Sequence, residues 1–136
     1  MTNYSREIPD RSTNQNVEYV PSKFNIHTFD AEILEHKLLF QVIKMQDSLL
    51  FYINDKDQLK FSDISLALKS RYDSSPLGTR LIGDFTDEIS KNIAIRLSKK
   101  TDKAVFLSFN VDHDGRFSPL VEKRIYEEMK NYPVMF

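Results

Sequence analysis

Apolar and polar positions alternate with period two along the first part of the chain, the pattern of strands. Over residues 23–29, Phe24, Ile26 and Thr28 stand opposite Asn25, His27 and Phe29. Over 35–45, Leu38, Phe40 and Val42 stand opposite Leu39, Gln41 and Ile43, so this strand is apolar on both faces and reads as central. Gln46-Asp47 predicts a tight turn into a strand over 48–53. Asn54-Asp55-Lys56-Asp57 predicts another turn, into a strand from about 59 to 69 with Ile64, Leu66 and Leu68 on one side. Such short turns join antiparallel neighbours, so the pattern predicts a meander. Residues 70–84 carry Pro76, Gly78 and Gly83 without a sustained period and read as a long loop.

The period then changes. Ile89, Ile93 and Leu97, with Ala94 beside them, form the apolar stripe of a helix. Thr86 is its expected cap, Asp87 and Glu88 stand at the positive end of its dipole, and Lys99 and Lys100 at the negative end. A strand over 104–111 follows, with Val105, Leu107 and Phe109 on one face. After a turn at 112–115, Ser118 is the expected cap of a second helix with Pro119 at its first position and Val121, Ile125 and Met129 as its stripe; Pro133 ends it. The predicted class is α+β: an antiparallel β-sheet meander with two main helices packed against it. Residues 1–22 are polar, contain Pro9 and Pro21 and hold few large aliphatic side chains, so they read as a flexible tail before a single domain over 23–136. Nothing in the pattern covers both sheet edges, and an uncovered edge invites a partner.

Composition narrows the function. With 136 residues, 40% of them hydrophobic, the chain holds one core. Nineteen basic and 20 acidic side chains give a net charge of -1, no footprint for nucleic acid or an anionic membrane. The N-terminus has neither the cationic start nor the apolar run of a signal peptide, which predicts an intracellular protein. The absence of cysteine excludes thiolate metal sites, thiol nucleophiles and disulfides. Gly78 and Gly83 have the spacing of a phosphate loop, but Asp84-Phe85 stands where Lys and a hydroxyl residue are needed.

Candidate chemistry is sparse. Asn110, Asp112, Asp114 and Gly115 match positions 1, 3, 5 and 6 of a calcium loop, but Val121 occupies the place of its bidentate acid. His27, His36 and His113 have no ligand spacing, and the pairs Glu127-Glu128 and Asp55-x-Asp57 read as solvated charges rather than a hydrolase couple. Lys91, Arg96, Lys99, Lys100 and Lys103 give the first helix a basic end that its dipole accounts for. The run Ser70-Arg71-Tyr72-Asp73-Ser74-Ser75-Pro76 combines arginine and tyrosine, residues enriched in binding hot spots, with a stiffening proline. It reads as a protein-binding loop, or as a turn closed by an Arg71–Asp73 pair.

That run, with Leu81-Ile82-Gly83-Asp84, with Ala94-x-Arg96-Leu97-x-Lys99-Lys100-Thr101 and with Val105-Phe106-Leu107-Ser108-x-Asn110, resembles the proteasome assembly chaperone 4 family. So do Leu120-Val121-Glu122-x-Arg124-Ile125-x-Glu127-Glu128-Met129 and the closing Pro133 and Phe136. The resemblance is dense over 70–136 and thinner over 23–69. It implies a non-enzymatic chaperone without cofactor that forms a heterodimer with proteasome assembly chaperone 3, binds a proteasome α-type subunit while the α ring of the 20S core is built, and then leaves. It further implies a cytoplasmic protein, with the nucleus as a second compartment. By the same resemblance Arg71, Tyr72 and Asp73 lead as partner contacts, followed by Asn110, Glu122, Arg124 and Glu127, while Leu97, Val105, Leu107 and Ile125 fill the core. The polar tail and a shorter turn at 112–115 depart from the family pattern. A calcium-binding module and a small trafficking adaptor are the competing readings.

Overall fold

In the computed structural model, which describes residues 16–112 and 115–136, six strands form one sheet. They are β1 (Asn25–Ile33), β2 (His36–Lys44), β3 (Ser48–Asp55), β4 (Ile64–Leu68), β5 (Leu77–Ile82) and β6 (Ala104–Phe109), in the spatial order β1-β2-β3-β6-β4-β5. The helices are α1 (Ile89–Thr101) and α2 (Phe117–Asn131), and a short 3-10 turn spans Pro133–Met135. Neither helix is long and apolar enough to cross a membrane. The α+β class, the mostly antiparallel sheet and the two main helices are those predicted.

The order of strands differs from the prediction in one respect. β6 returns after α1 and inserts between β3 and β4, parallel to β3 (Leu49 opposite Val105, Phe51 opposite Leu107) and antiparallel to β4. The helix supplies the crossover that a parallel pair needs, which is why the turns of the first strands gave no sign of it. A second difference is β5, inside the stretch expected to be loop. Gly78 hides its pattern: a Cβ there would lie 2.7 Å from Ile95 Cδ1 and 2.8 Å from Lys91 Cγ, because α1 packs down onto this strand.

Element ends also moved. The β1–β2 hairpin turns on Leu34 and Glu35, both left-handed (φ 47° and 68°), where glycine or asparagine would be expected. Thr86 does not cap α1; it bonds Asp84, and the Asp87 carboxylate accepts the Ile89 N–H at 3.0 Å. α2 begins at Phe117, one residue before the expected cap, and Ser118 lies within it.

The core lies on one face of the sheet. Leu38, Phe40 and Val42 of β2, Leu49, Phe51 and Ile53 of β3, Ala67 of β4, and Val105 and Leu107 of β6 are almost fully buried there with Ile93, Ala94 and Leu97 of α1 and Val121 and Ile125 of α2. Both helices belong to this face: Ser65 of β4 bonds Ser90 of α1 at 2.8 Å, and His27 of β1 bonds Glu128 of α2 at 2.7 Å. Arg96 of α1 joins them through a two-pronged pair to Glu122 of α2, at 2.6 and 2.8 Å.

Candidate partner interface

Among the described residues the opposite face of the sheet carries no helix, and it is not polar. Reading the registers across, Ile26, Ile43, Leu50, Phe106, Leu66 and Thr79 form one row through all six strands. Leu68 beside Leu77 and Ile64 beside Ile82 extend it on β4 and β5. Ile43, Leu50, Phe106, Leu66 and Ile64 are half-buried by their neighbours; Ile26, Leu68, Leu77 and Ile82 are 57%, 49%, 61% and 48% exposed. One end has a cover: the segment after β3 folds back so that Phe61 stacks on Tyr52 at 6.3 Å, and the Lys60 carbonyl accepts the Tyr52 hydroxyl at 2.9 Å. A contiguous apolar surface spanning a whole sheet marks an interaction site more often than a solvent face.

At the β5 side a buried polar network sets the geometry. The Arg80 guanidinium meets Asp63 Oδ1 at 2.6 Å, the Asp87 carbonyl at 2.8 Å and Ser90 Oγ at 2.7 Å. Burial pushes the Asp63 carboxyl above its ordinary value, an effect the Arg80 charge and the Ser90 hydroxyl offset only in part. Gly83 (φ 120°) passes so close that a Cβ would stand 2.9 Å from both Arg80 Nη2 and Asp63 Oδ1, so glycine is required there on two counts. These contacts lock the end of β5 to the start of α1.

The residues singled out in the sequence separate into two groups. Arg71, Tyr72 and Asp73 sit together on the exposed β4–β5 connection, beside the Leu68 and Leu77 end of the open face, and Tyr72 is 99% exposed. Arg71 and Asp73 do not pair; the Asp73 carboxylate accepts the Ser75 N–H at 3.2 Å, and Ser70 Oγ accepts the N–H groups of Tyr72 and Asp73. Glu127 is exposed on α2. The others serve the interior. Asn110 is buried, and its side-chain oxygen accepts the N–H groups of Ser62 and Asp63 at 2.9 and 3.1 Å. Glu122 is buried, bonded to Arg96 and to the Tyr126 hydroxyl; burial first and then the Glu122 carboxylate push the Tyr126 pKa up, and the Arg96 charge only partly opposes them. The Arg124 guanidinium lies 4.9 Å over the Phe29 ring and holds Glu128 at 2.7 Å.

The calcium pattern does not assemble around Asn110, whose oxygen is aimed inward at two amides, while Asp112 reaches Lys60 at 3.4 Å. Asp114 of that pattern lies outside the described residues, as do His113 and the tail up to residue 15. What the sequence reading missed is the open face itself. Its signal is present in β2, which lies between β1 and β3 as its two apolar faces predict; one face meets helices, and among the described residues no helix covers the other.

Comparison with known proteins bears on the family and the fold. The family model of proteasome assembly chaperone 4 matches residues 37–111. Proteasome assembly chaperone 4 of Homo sapiens is 40% identical over 113 residues, covering 82% of this chain and 90% of the human protein; that of Mus musculus is 39% identical over the same coverage. A chain from the crystal structure of a chaperone complex for yeast 20S proteasome assembly shares the fold, with a TM-score of 0.57 over 83% of this chain and 95% of that one at 13% identity.

Proposed function

Because the chain belongs to the proteasome assembly chaperone 4 family, we propose that it acts without catalysis in building the α ring of the 20S proteasome, as a heterodimer with a proteasome assembly chaperone 3-like protein that holds an α-type subunit. The observation that carries this reading is the uncovered apolar face: a six-stranded sheet with both helices on one side has room on the other for a second sheet of the same kind. Packing two such faces would bury the row from Ile26 to Leu66, and burial of apolar area is what drives association. The exposed Arg71-Tyr72-Asp73 connection stands at the rim of that face and supplies the side-chain types that dominate binding energy. In this reading the chain works in the cytoplasm and the nucleus.

The test is affinity purification of the tagged chain from its own cell extract with mass spectrometry of the eluate. A chaperone 3-like protein with α-type subunits, and without β subunits of the mature core, is the expected set. Recovery of mature core particle, or of neither class, contradicts it.

A further inference from the structure

The helix side of the molecule holds a second surface, away from the open sheet face. A cleft of about 640 Å³ runs between the end of α1, α2 and the turn at Pro133, within the span of about 300–1,000 Å³ typical of ligand pockets. Its apolar lining is Tyr126, Met129 and Phe136. Around it stand Lys100, from the last turn of α1, and Lys123 and Lys130, which flank Tyr126 on one stripe of α2 at i and i+7. Glu127 is the one acid in the lining.

These lysines are placed differently from the arginines beside them. Arg96 is matched to Glu122 and Arg124 to Glu128, whereas Lys100, Lys123 and Lys130 have no acidic partner among the described residues. The Lys100 ammonium rests 4.9 Å from the centre of the Tyr126 ring. Helix dipoles account for Lys100 in the last turn of α1 and for Lys130 in the last turn of α2, but not for Lys123 in the middle of α2, nor for the gathering of all three around one cleft.

We propose that this cleft binds an acidic segment of a partner protein, seating one aromatic side chain against Tyr126, Met129 and Phe136 while its carboxylates meet Lys100, Lys123 and Lys130. Charge complementarity selects the occupant: three unmatched cations around an apolar floor suit a chain that alternates carboxylates with an apolar anchor. A nucleic-acid strand suits it less, because stacking needs free ring faces and Tyr126 has Lys100 over one and its hydroxyl bonded to Glu122. The site lies on the helix side, so it stays open whatever covers the sheet.

The experiment is fluorescence anisotropy on the full chain with a labelled Glu-Glu-Phe-Glu-Glu peptide, the same peptide with alanine for phenylalanine, its lysine counterpart Lys-Lys-Phe-Lys-Lys, and a labelled oligothymidine. The phenylalanine peptide is expected to bind at least tenfold more tightly than the other three. Lys100→Glu/Lys123→Glu/Lys130→Glu should weaken it more than tenfold with an unchanged melting temperature, and the milder Lys100→Gln/Lys123→Gln/Lys130→Gln should weaken it by a smaller factor. Leu50→Glu, on the open face, should leave it unchanged. Equal binding by wild type and the charge-reversed chain, equal binding of the alanine peptide, or tighter binding of oligothymidine would each overturn the proposal.

Discussion

The two faces of the sheet are written by the same strands and have opposite fates. On one, Leu38, Phe40, Val42, Leu49, Phe51 and Ile53 are essentially inaccessible beneath two helices. On the other, residues of comparable size alternate with them, Leu39, Ile43 and Leu50 only half-buried and Ile26 largely exposed. Since burying a large apolar side chain is worth about 1.5–3 kcal/mol, leaving such a row uncovered forgoes stabilisation that one more helix could have supplied. The helix-covered face therefore holds this chain together, and the open face is the one we propose for a partner.

Substitutions that act on only one face break or sharpen that contrast. The largest effect on stability should come from Phe51→Ala under the helices, which is expected to cost about 3–5 kcal/mol in chemical denaturation. A cost below about 1 kcal/mol would mean that this face is no more a core than the other. Asp63→Ala should be nearly as severe, about 3–5 kcal/mol, because it leaves the Arg80 guanidinium buried without its counter-charge. Asp63→Ala/Arg80→Met in the same assay should recover part of that loss.

On the open side, Arg71→Ala and Tyr72→Ala are each expected to weaken binding to the dimer partner or to the α-type subunit by about 1–4 kcal/mol, read by calorimetry, with no change in melting temperature. Unchanged affinity for both partners would remove the 70–76 connection from the interface. A smaller effect concerns pH. Burial alone would raise Glu128, but its bonds to Arg124 and His27 outweigh that and hold its carboxyl below the ordinary glutamate value. Its stabilisation is therefore complete above that ordinary value and is lost as pH falls through the lowered one. The stability difference between wild type and Glu128→Gln should accordingly shrink in denaturation curves taken below about pH 4, and a difference constant with pH would contradict this. Smallest, Leu34→Asn/Glu35→Gly should stabilise the β1–β2 hairpin by about 1 kcal/mol, because it places residues that tolerate positive φ where the chain has two that do not.

The sequence was most legible where one physical cause acts alone. The stripes of α1 and α2 and the first three strands are set by burial on one side, and period alone reveals them. β5 was hidden because Gly78 answers to the approach of α1 rather than to strand propensity. The place of β6 was hidden because parallel pairing with β3 is a long-range choice that no local pattern records. For the interface, the family motif points first to Arg71 and then to Glu122, and the first is exposed while the second is buried in a pair with Arg96. Motif residues that build the fold and motif residues that face a partner look alike until side chains are placed. Phe106 illustrates the converse: it sits in a run that reads as core, yet it faces away from Val105 and Leu107 onto the open side.

Phe106 also offers the most direct test. It stands mid-row on the uncovered face, between Leu50 and Leu66, so a charge there reaches any sheet packed against it. Titration of the chaperone 3-like partner into wild type and Phe106→Glu, with light scattering to read the mass of the complex, should show a one-to-one heterodimer for the wild type. For a variant whose circular dichroism is unchanged, affinity should fall more than a hundredfold, about 2.7 kcal/mol. Equal affinity for the two chains would contradict the assignment of the open sheet face as the partner interface.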